Sequence, residues 1–442
     1  MATWTGISTA LSSLQAQRVA MDIAGQNIAN VNTPGYVRQR VQLSSGLGVD
    51  VSAIQRLQSG VLGDRARTEG ARLGELTVTS TVLNEIEQVF PEPSSTGLAT
   101  KLDALWSGFA DVARDPSNAA ARIQVVEQAN VVTFWLNDAA QRLTDMSTDY
   151  KQSLANLVTS ANSYAEEIAD LNIAISQSVQ GTSDTNSLLD QRSYAATQLS
   201  NAIGGTFTID DANIMRVALG GTTLVGSSSY AALQVNTTAG TTTVQWASND
   251  ATAAITSGTA SGYLDTINTV IPEWTASLNT VAAALTSKVN TAQAAGYDLD
   301  GIAGAAMFTG TTAATIAVAF SDGAGIAAST IAPTGGVASL NGSNADTMSA
   351  LGTVSGGPDG LYQSLVVSLG YSTQAANQSA QTQESFNSSI RSQIDSESGV
   401  NIDEEMANLL TYQRAYEAAA RVLTAIDEAL ATLINRTGLV GR

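Results

Sequence analysis

Two kinds of side chain are missing from this sequence of 442 residues: it has no cysteine and no histidine. The first absence removes any disulfide framework and any thiolate metal site. The second removes imidazole ligands and the Ser-His and Cys-His nucleophile pairs, so most hydrolytic mechanisms lose their usual base. Long apolar runs are missing too. No stretch reaches the roughly 18 residues that a membrane span needs, and the opening Met1-Ala2-Thr3-Trp4-Thr5-Gly6 lacks the basic stretch and apolar core of a cleaved signal peptide. The expectation is therefore neither a membrane span nor a signal peptide. Positive charge is scarce, with 20 Lys plus Arg against 39 Asp plus Glu and a net charge of -19. That balance argues against nucleic acid or an anionic membrane as the main partner. The deficit is uneven: from Met1 to Glu75 seven Arg stand against five acids, a net of +2, so the negative charge sits further along as a solvated acidic surface. The length allows two to four domains.

What is there begins with a helix and a turn. Ile7, Ala10, Leu14, Gln17, Met21, Ala24 and Ile28 recur at alternating steps of three and four, the seam of an amphipathic helix that needs a partner helix. The string Ala29-Asn30-Val31-Asn32-Thr33-Pro34-Gly35-Tyr36 closes it. Pro34 forbids further helix and pushes Thr33 towards extended geometry, and Gly35 supplies the positive φ that a tight turn often requires. From Tyr36 to Leu43 apolar and polar residues alternate as in a half-buried strand. A second alternating run, residues 49–54, follows the turn cluster at 44–48, which predicts a hairpin.

Beyond the hairpin the pattern is helical for a long way. Residues 59–90 and 98–112 read as helices separated by Pro91-Glu92-Pro93, and Asp115-Pro116-Ser117-Asn118 makes a corner. Between Ser117 and Gln180 there is no proline or glycine, and a heptad register from Leu136 to Ile175 predicts one helix on the order of 90 Å long at 1.5 Å per residue. The Gly181 break is followed by Asn186-Ser187-Leu188-Leu189-Asp190-Gln191-Arg192, where Asn186 is expected to cap the next helix. Residues 204–262 change to short β-branched runs parted by Gly, Ser and Asn, a small antiparallel β module. Helix returns from Tyr263 to about Ala295 with a kink expected at Pro272. The string Gly296-Tyr297-Asp298-Leu299-Asp300-Gly301 lacks the later acids of a calcium loop and reads as a polar turn without metal. Residues 302–360, poor in large apolar groups, read as a loosely packed connection with a strand or two. A helix over 361–396 completes the body.

After Ser398-Gly399-Val400, Asn401 with Glu404 reads as a capping pair, and Asp403, Glu404 and Glu405 put negative charge where the helix dipole favours it. Leu409, Tyr412, Tyr416, Ala419, Leu423, Ile426, Leu430 and Leu433 then form a narrow apolar seam, with Arg436 and Gly438 as a matching end. This seam either packs in the chain's own core or pairs with the helix at residues 7–28.

Several of these strings resemble one family. Residues 10–17 with Asn27-Ile28-Ala29-Asn30-Val31-Asn32-Thr33-Pro34-Gly35-Tyr36 resemble the amino-terminal signature of bacterial flagellar axial proteins, the rod, hook and hook-associated subunits. Ser398-Gly399-Val400-Asn401-Ile402-Asp403-Glu404-Glu405 with Leu409 and Tyr416 resembles their carboxy-terminal signature, while Arg38-Gln39 and residues 186–192 resemble the hook-associated branch that forms the junction of hook and filament. The resemblance implies a mainly α fold, in which the two terminal segments form a long helical bundle or coiled coil and a small antiparallel β module is inserted. It implies a terminal domain of residues 1–58 and 398–442, a helical rod of 59–203 and 263–397, and the β module at 204–262, with one small outer module or none. It further implies an assembly interface through Ile7, Leu14, Met21, Ile28, Asn30, Thr33, Pro34, Gly35, Tyr36, Leu409, Tyr412, Tyr416, Leu423, Ile426, Leu430 and Leu433. The implied partners are further copies in a helical layer, the hook subunit, the next hook-associated protein and an export chaperone on the C-terminal helix. No nucleic acid, membrane, metal or cofactor is implied. The implied location is extracellular, on the flagellum, after type III export without a cleaved signal.

A terminal helix pair is marginal alone because its exposed stripe needs covering. Residues 1–35 and 400–442 are therefore expected to stay disordered in the free subunit and to order on assembly. Two other classes compete: a secreted coiled-coil adhesin or tether with a β tip, and an enzyme using acids such as Glu166-Glu167 or Asp210-Asp211. The enzyme reading is weak, because neighbouring acids on a helix do not face each other.

Overall fold

The computed structural model describes residues 2–46, 48–238, 240–334 and 339–437, so Gly438 and the expected helix end there lie outside the described residues. Helix α1 (Ala2–Ala29) runs into the Pro34-Gly35 turn, and the hairpin of β1 (Gln39–Ser45) and β2 (Val49–Arg56) folds back along it. The approach is close: a Cβ on Gly48 would lie 2.1 Å from the Ser12 hydroxyl and 3.1 Å from the Thr9 Cα. Helices α2 (Gly60–Val89), α3 (Leu98–Arg114), α4 (Ala119–Gln177) and α5 (Ser183–Ile203) follow. At 59 residues, α4 is a single unbroken rod. Asn118 caps it, its carboxamide oxygen accepting from the Ala120 and Ala121 amides at 3.0 and 3.2 Å.

One sequence expectation about helix capping needs correction, and another takes a specific form. Asn186 does not cap α5. The helix starts earlier, at Ser183, because the positive φ of Gly181 (78°) completes the reversal and leaves the Thr182 hydroxyl to cap the Thr185 amide at 3.3 Å. At Pro272 the irregularity takes the form of a π turn directly before the proline. Helix α6 (Thr259–Asp265) passes through a π turn (Thr266–Val270) into α7 (Ile271–Ala294). Widening the turn just before the proline relieves the clash of its ring with the carbonyl four residues back.

The five strands of residues 204–262 form two sheets: β3 (Thr206–Ile209), β4 (Met215–Leu219) and β5 (Thr222–Val225) in one, β6 (Leu233–Thr238) and β7 (Thr241–Trp246) in the other. Their inward side chains Met215, Val217, Leu224, Val244 and Trp246 pack on Leu154, Val158 and Ala161 of α4 and on Leu199 and Ile203 of α5. A second core gathers the first half of α4 with α2, α3, α7 and α9 (Pro358–Ser398). Tyr150 and Tyr263, with ring centroids 5.6 Å apart, border both cores.

Residues 302–360 are not loosely packed, contrary to their composition. Met307, Phe308, Ala313, Ile316, Ile326 and Ala328 are each at most 1% exposed, and they enter the α2–α3–α4 core through the two-residue strands β8 (Phe308–Thr309) and β9 (Ala317–Val318) and the short helix α8 (Ser343–Ser349). The reason is polar rather than apolar. Buried Arg122 donates to the carbonyls of Pro116, Gly323 and Ile326, and Asn344 donates to those of Ala292 and Ala327, so backbone groups that would otherwise seek water are satisfied inside. The loop at 296–301 is a turn in which the Asp298 carboxylate accepts from the Asp300 and Ile302 amides.

The same device recurs at five places where a strand meets a helix among the described residues. Five helical asparagines each grip the N–H and the C=O of a single residue with one carboxamide: Asn27 on Gln39, Asn162 on Leu233, Asn172 on Met215, Asn268 on Thr242 and Asn290 on Phe308, all between 2.8 and 3.0 Å. A carboxamide has the donor–acceptor pair of a peptide unit, so each asparagine stands in for a neighbouring strand. Replacing Asn162 by Leu strands both groups of buried Leu233, and stability is expected to fall by about 2–4 kcal/mol at about 1–3 kcal/mol per orphaned group. Urea unfolding measures this, with Asn156→Leu on the exposed side of α4 as a control expected to change little.

Candidate assembly site

The turn after α1 is built by its own side chains. The Asn30 amide donates to the Gln26 carbonyl at 2.9 Å, the Thr33 hydroxyl donates to the Asn30 carboxamide oxygen at 3.1 Å, and the Thr33 and Tyr36 amides donate to the Asn30 and Thr33 carbonyls. Gly35 takes φ 81°, and a Cβ there would sit 2.9 Å from the Tyr194 Cβ on α5. Glycine is thus required twice, by backbone conformation and by contact.

Beyond the turn the chain enters a buried polar knot. The Asn27 carboxamide, fully buried, donates to the Glu405 carboxylate at 3.0 Å and accepts from the Tyr36 hydroxyl at 2.8 Å, in addition to gripping Gln39. Arg38 forks onto both acids of the last helix, α10 (Ile402–Thr437): Nε and Nη2 meet Glu405 at 2.8 and 2.7 Å, and Nη1 meets Glu404 at 2.9 Å. From the other side Asp190 accepts from the Val37 amide at 3.3 Å and binds Arg56 at 2.8 and 2.5 Å. Asn186 donates to the Gln39 side chain at 3.1 Å and to the Ile54 carbonyl at 2.9 Å. Three stretches far apart in sequence, residues 27–39, 186–190 and 404–405, therefore meet in one place.

Burial governs the ionisation here. It pushes the Tyr36 phenol up to about 12, helped by the negative charges of Asp190 and Glu405. Burial also raises Asp190, against which the Arg56 guanidinium and the Val37 amide act. The knot thus holds a neutral phenol between two carboxylates, each neutralised by its own arginine.

The α1–α10 pair departs from the knot. Asn401 caps α10, accepting from the Asp403 and Glu404 amides at 3.0 and 3.3 Å. Glu404 and Glu405 face Arg38, a role that a reading based on the helix dipole missed. On α10, Leu409, Tyr412, Leu423, Ile426 and Leu430 are partly buried, whereas Tyr416 and Leu433 are exposed by 37% and 52%. On α1, Ile7, Leu14, Met21 and Ile28 are partly buried, and the fully buried positions are instead Ala10, Ala16, Ala20, Ile23, Ala24 and Asn27. The buried arc is displaced because α1 has two neighbours, α10 and the hairpin, and small residues let both come close. Asn30 and Tyr36 are partly buried, and Thr33, Pro34 and Gly35 lie at the surface. Arg38 and Glu405 were named from the sequence for other reasons, whereas Asn27, Arg56 and Asp190 were not singled out individually. Asn27 and Asp190 had membership of a signature string as their signal, and Arg56 had none.

The other acids considered for chemistry have local duties or none. Asp210 accepts from the Ala212 and Ile214 amides and pairs with Arg216, which pulls its carboxyl below the ordinary range. Glu166 and Glu167 are exposed on α4. Among the described residues no group of acids is placed to hold a metal.

Two measurements probe the knot. Removing a partner from a buried ion pair costs about 3–5 kcal/mol. Glu405→Ala is expected to cost somewhat less, about 2–3 kcal/mol, because Arg38 keeps Glu404 and some solvent. Hydrogen exchange over residues 402–412, measured on assembled subunits, where the ends are expected to be ordered, should accelerate accordingly. The Tyr36 phenol is protonated longer in the folded state than in the unfolded one. Its contribution is complete below pH 10 and is lost as pH rises from 10 to about 12. The phenolate difference spectrum between the wild type and Tyr36→Phe should show one late-titrating tyrosine.

Comparison with known proteins agrees with this geometry segment by segment. The family model for the flagellar hook-associated protein FlgK helical domain matches residues 83–308, which contain Asn186 and Asp190. A flagella basal body rod protein model matches residues 7–36, with Asn27 and Tyr36, and the C-terminal model of flagellar basal body rod FlgEFG proteins matches residues 391–436, with Glu404 and Glu405. Flagellar hook-associated protein 1 of Bacillus subtilis is 26% identical over 505 aligned residues, covering 100% of this chain and 99% of its own. The protein of the same name in Salmonella typhimurium is 26% identical over 236 residues, 50% of this chain and 42% of its own. The structure of the flagellar hook junction protein FlgK from Burkholderia pseudomallei shares the fold with a TM-score of 0.64 at 16% identity, over 74% of this chain and 99% of that one. With a helical-domain match across half its length, flanked by rod-type ends that meet at the knot, the chain belongs to the flagellar hook-associated protein FlgK family.

Proposed function

We propose that this protein is a structural subunit of the bacterial flagellum that polymerises as the layer joining hook to filament. The observation that carries the reading is the convergence of both chain ends and the α5 motif on the Asn27–Arg38–Glu405 knot, from which α1 and α10 leave as a pair with apolar side chains still outside. Trp4 and Leu11 on α1 and Met406 and Leu410 on α10 are between 49% and 76% exposed, and neighbouring copies would cover them. Such a subunit uses heterologous contacts, which build tubes rather than closed pairs. The names of the relatives, hook-associated protein 1 and hook junction protein, support the junction over other axial positions.

On this reading residues 1–58 and 398–442 form the terminal domain, 59–203 and 263–397 the helical rod and 204–262 the β module. The seam and turn residues, from Ile7 to Tyr36 and from Leu409 to Leu433, form the inner assembly surface. The hook subunit and the next hook-associated protein are the axial neighbours, and an export chaperone holds α10 before assembly. The protein leaves the cell by flagellar export and works mechanically, without catalysis. Another hook-associated subunit or the hook subunit is the nearest alternative within the axial proteins, and the α5 motif with Arg38-Gln39 weighs against it.

A strain lacking the protein is expected to shed its filaments while keeping hooks, visible by electron microscopy of the hook end; attached filaments in that strain overturn the proposal. Gly35→Val places a branched residue at φ 81° against Tyr194, a strain of about 1–3 kcal/mol before any clash. That variant is expected to restore few filaments while the purified body unfolds nearly as the wild type does. In the isolated subunit, residues 1–35 and 400–437 are expected to give narrow, weakly dispersed resonances; full amide protection there counts against ordering on assembly.

A further inference from the structure

Asn341-Gly342 is the one Asn-Gly pair in the chain. Both residues are partly buried just before α8, and the fold constrains each of them. A Cβ on Gly342 would lie 2.0 Å from the Ala113 carbonyl oxygen of α3, which leaves room for glycine alone. The Asn341 carboxamide oxygen accepts from the Ser343 amide at 3.0 Å and from the Ser343 hydroxyl, with the Thr330 hydroxyl further off at 3.5 Å. Among the described residues the Gly342 amide donates no hydrogen bond. Its place is nevertheless fixed from the far side, where the Gly342 carbonyl accepts from the Asp346 amide at 3.0 Å and the Asn344 and Ala345 amides donate to the Ala328 carbonyl.

An asparagine bonded to the amide two residues on forms an Asx turn. The intervening nitrogen belongs to the same ring, so the Gly342 nitrogen is held beside the Asn341 Cγ, the geometry of an intramolecular acyl transfer. Attack by that nitrogen, with its proton passed to water, forms a C–N bond and puts negative charge on the carboxamide oxygen. The Ser343 amide and hydroxyl already point at that oxygen, as oxyanion donors do. Breaking the Cγ–Nδ2 bond then releases ammonia, which takes a proton from water, and leaves a cyclic imide. Water opens the imide at one carbonyl to give aspartate or at the other to give isoaspartate. The same turn recurs at Asn118, Asn249 and Asn401, whose oxygens accept from the Ala120, Ala251 and Asp403 amides at 3.0, 3.1 and 3.0 Å. Those three are followed by Ala119, Asp250 and Ile402, whose side chains crowd the attack, so they serve as internal controls.

We propose that in the folded chain Asn341 deamidates spontaneously, promoted by Ser343, and that the isoaspartate so formed loosens α8 from α3. Aspartate keeps the acceptor oxygen and the turn. Isoaspartate instead adds a methylene to the main chain beside the Ala113 contact, above the fully buried Ala345 and Met348. The test incubates the purified full chain at mildly alkaline pH and follows each asparagine by peptide mass spectrometry, with the two acid products separated by chromatography. Conversion at Asn341 is expected to run at least roughly tenfold faster than at Asn118, Asn249 and Asn401, and hydrogen exchange at residues 345–348 should rise with the isoaspartate fraction but not in Asn341→Asp. Comparable rates at the four sites, or no such rise, overturn the proposal. Ser343 is exposed, so Ser343→Ala should keep the urea midpoint of the wild type. It should slow conversion about tenfold, short of the roughly 10²–10³-fold that one oxyanion donor supplies in an enzyme. An unchanged or faster rate in that variant shows that Ser343 does not promote the attack and overturns the proposal, as does slower conversion of Asn341 in native buffer than in urea.

Discussion

The contact between Arg38 and Glu405 is the constraint on which the rest of the molecule turns. It is the place where the beginning, the middle and the end of the chain are held together, with Glu405 3% exposed and its carboxylate shared by Arg38 and Asn27. Taking two charges out of water is expensive, and an apolar substitute of the same volume is often as stable. What an ion pair adds is discrimination. A one-residue slip of α10 along α1 would leave Glu405 without Arg38 and Asn27 without a carboxylate, whereas a leucine seam tolerates sliding. The half-buried seam of α10 has little means of fixing its own register. The knot therefore does for the helix pair what a buried asparagine does in a coiled coil.

A second constraint follows from the shortness of the strands. Strands of two to eight residues in sheets of two or three do not hold together alone. Here they are finished by helices, through apolar packing on α4 and α5 and through asparagine carboxamides that replace the absent neighbouring strand. One consequence is that α4 organises both cores: its first half belongs to the α2–α3–α7 cluster and its second half to the strands, with Tyr150 where they meet. Bending α4 would disturb both, which accounts for a helix of 59 residues without glycine or proline.

The sequence made the periodic elements legible. The seam of α10, the unbroken α4 and the five strands of residues 204–262 follow from spacing alone, because period and breaker residues are local properties. What it hid was non-local. Asn186 looked like a cap because nothing nearby says that its carboxamide faces Gln39, 147 positions earlier. Residues 302–360 looked loose because their few large apolar groups are scattered among alanines, and because Arg122 of α4 holds their carbonyls, which have no sequence signature. The turn residues Asn30, Thr33, Gly35 and Tyr36 could be named from their strings, yet the knot beside them could not. The pairing of Arg38 with Glu405 spans 367 positions.

The uneven burial of the terminal pair has a physical logic. Alanine at 10, 16, 20 and 24 lets α1 approach both the hairpin and α10, but alanines bury little area, so the contact holds the helix in place without stabilising it strongly. Larger residues at those positions would force the helices apart and lose the hairpin. Several larger apolar groups of the pair, Trp4, Leu11, Met406 and Leu410, stay exposed, the surface that the proposed assembly would cover. On the proposed export route such ends spare the subunit a second unfolding for passage. The weakness of the pair and the strictness of the knot thus divide the work: polar contacts set the geometry, and on the proposed reading the assembly supplies the remaining cover.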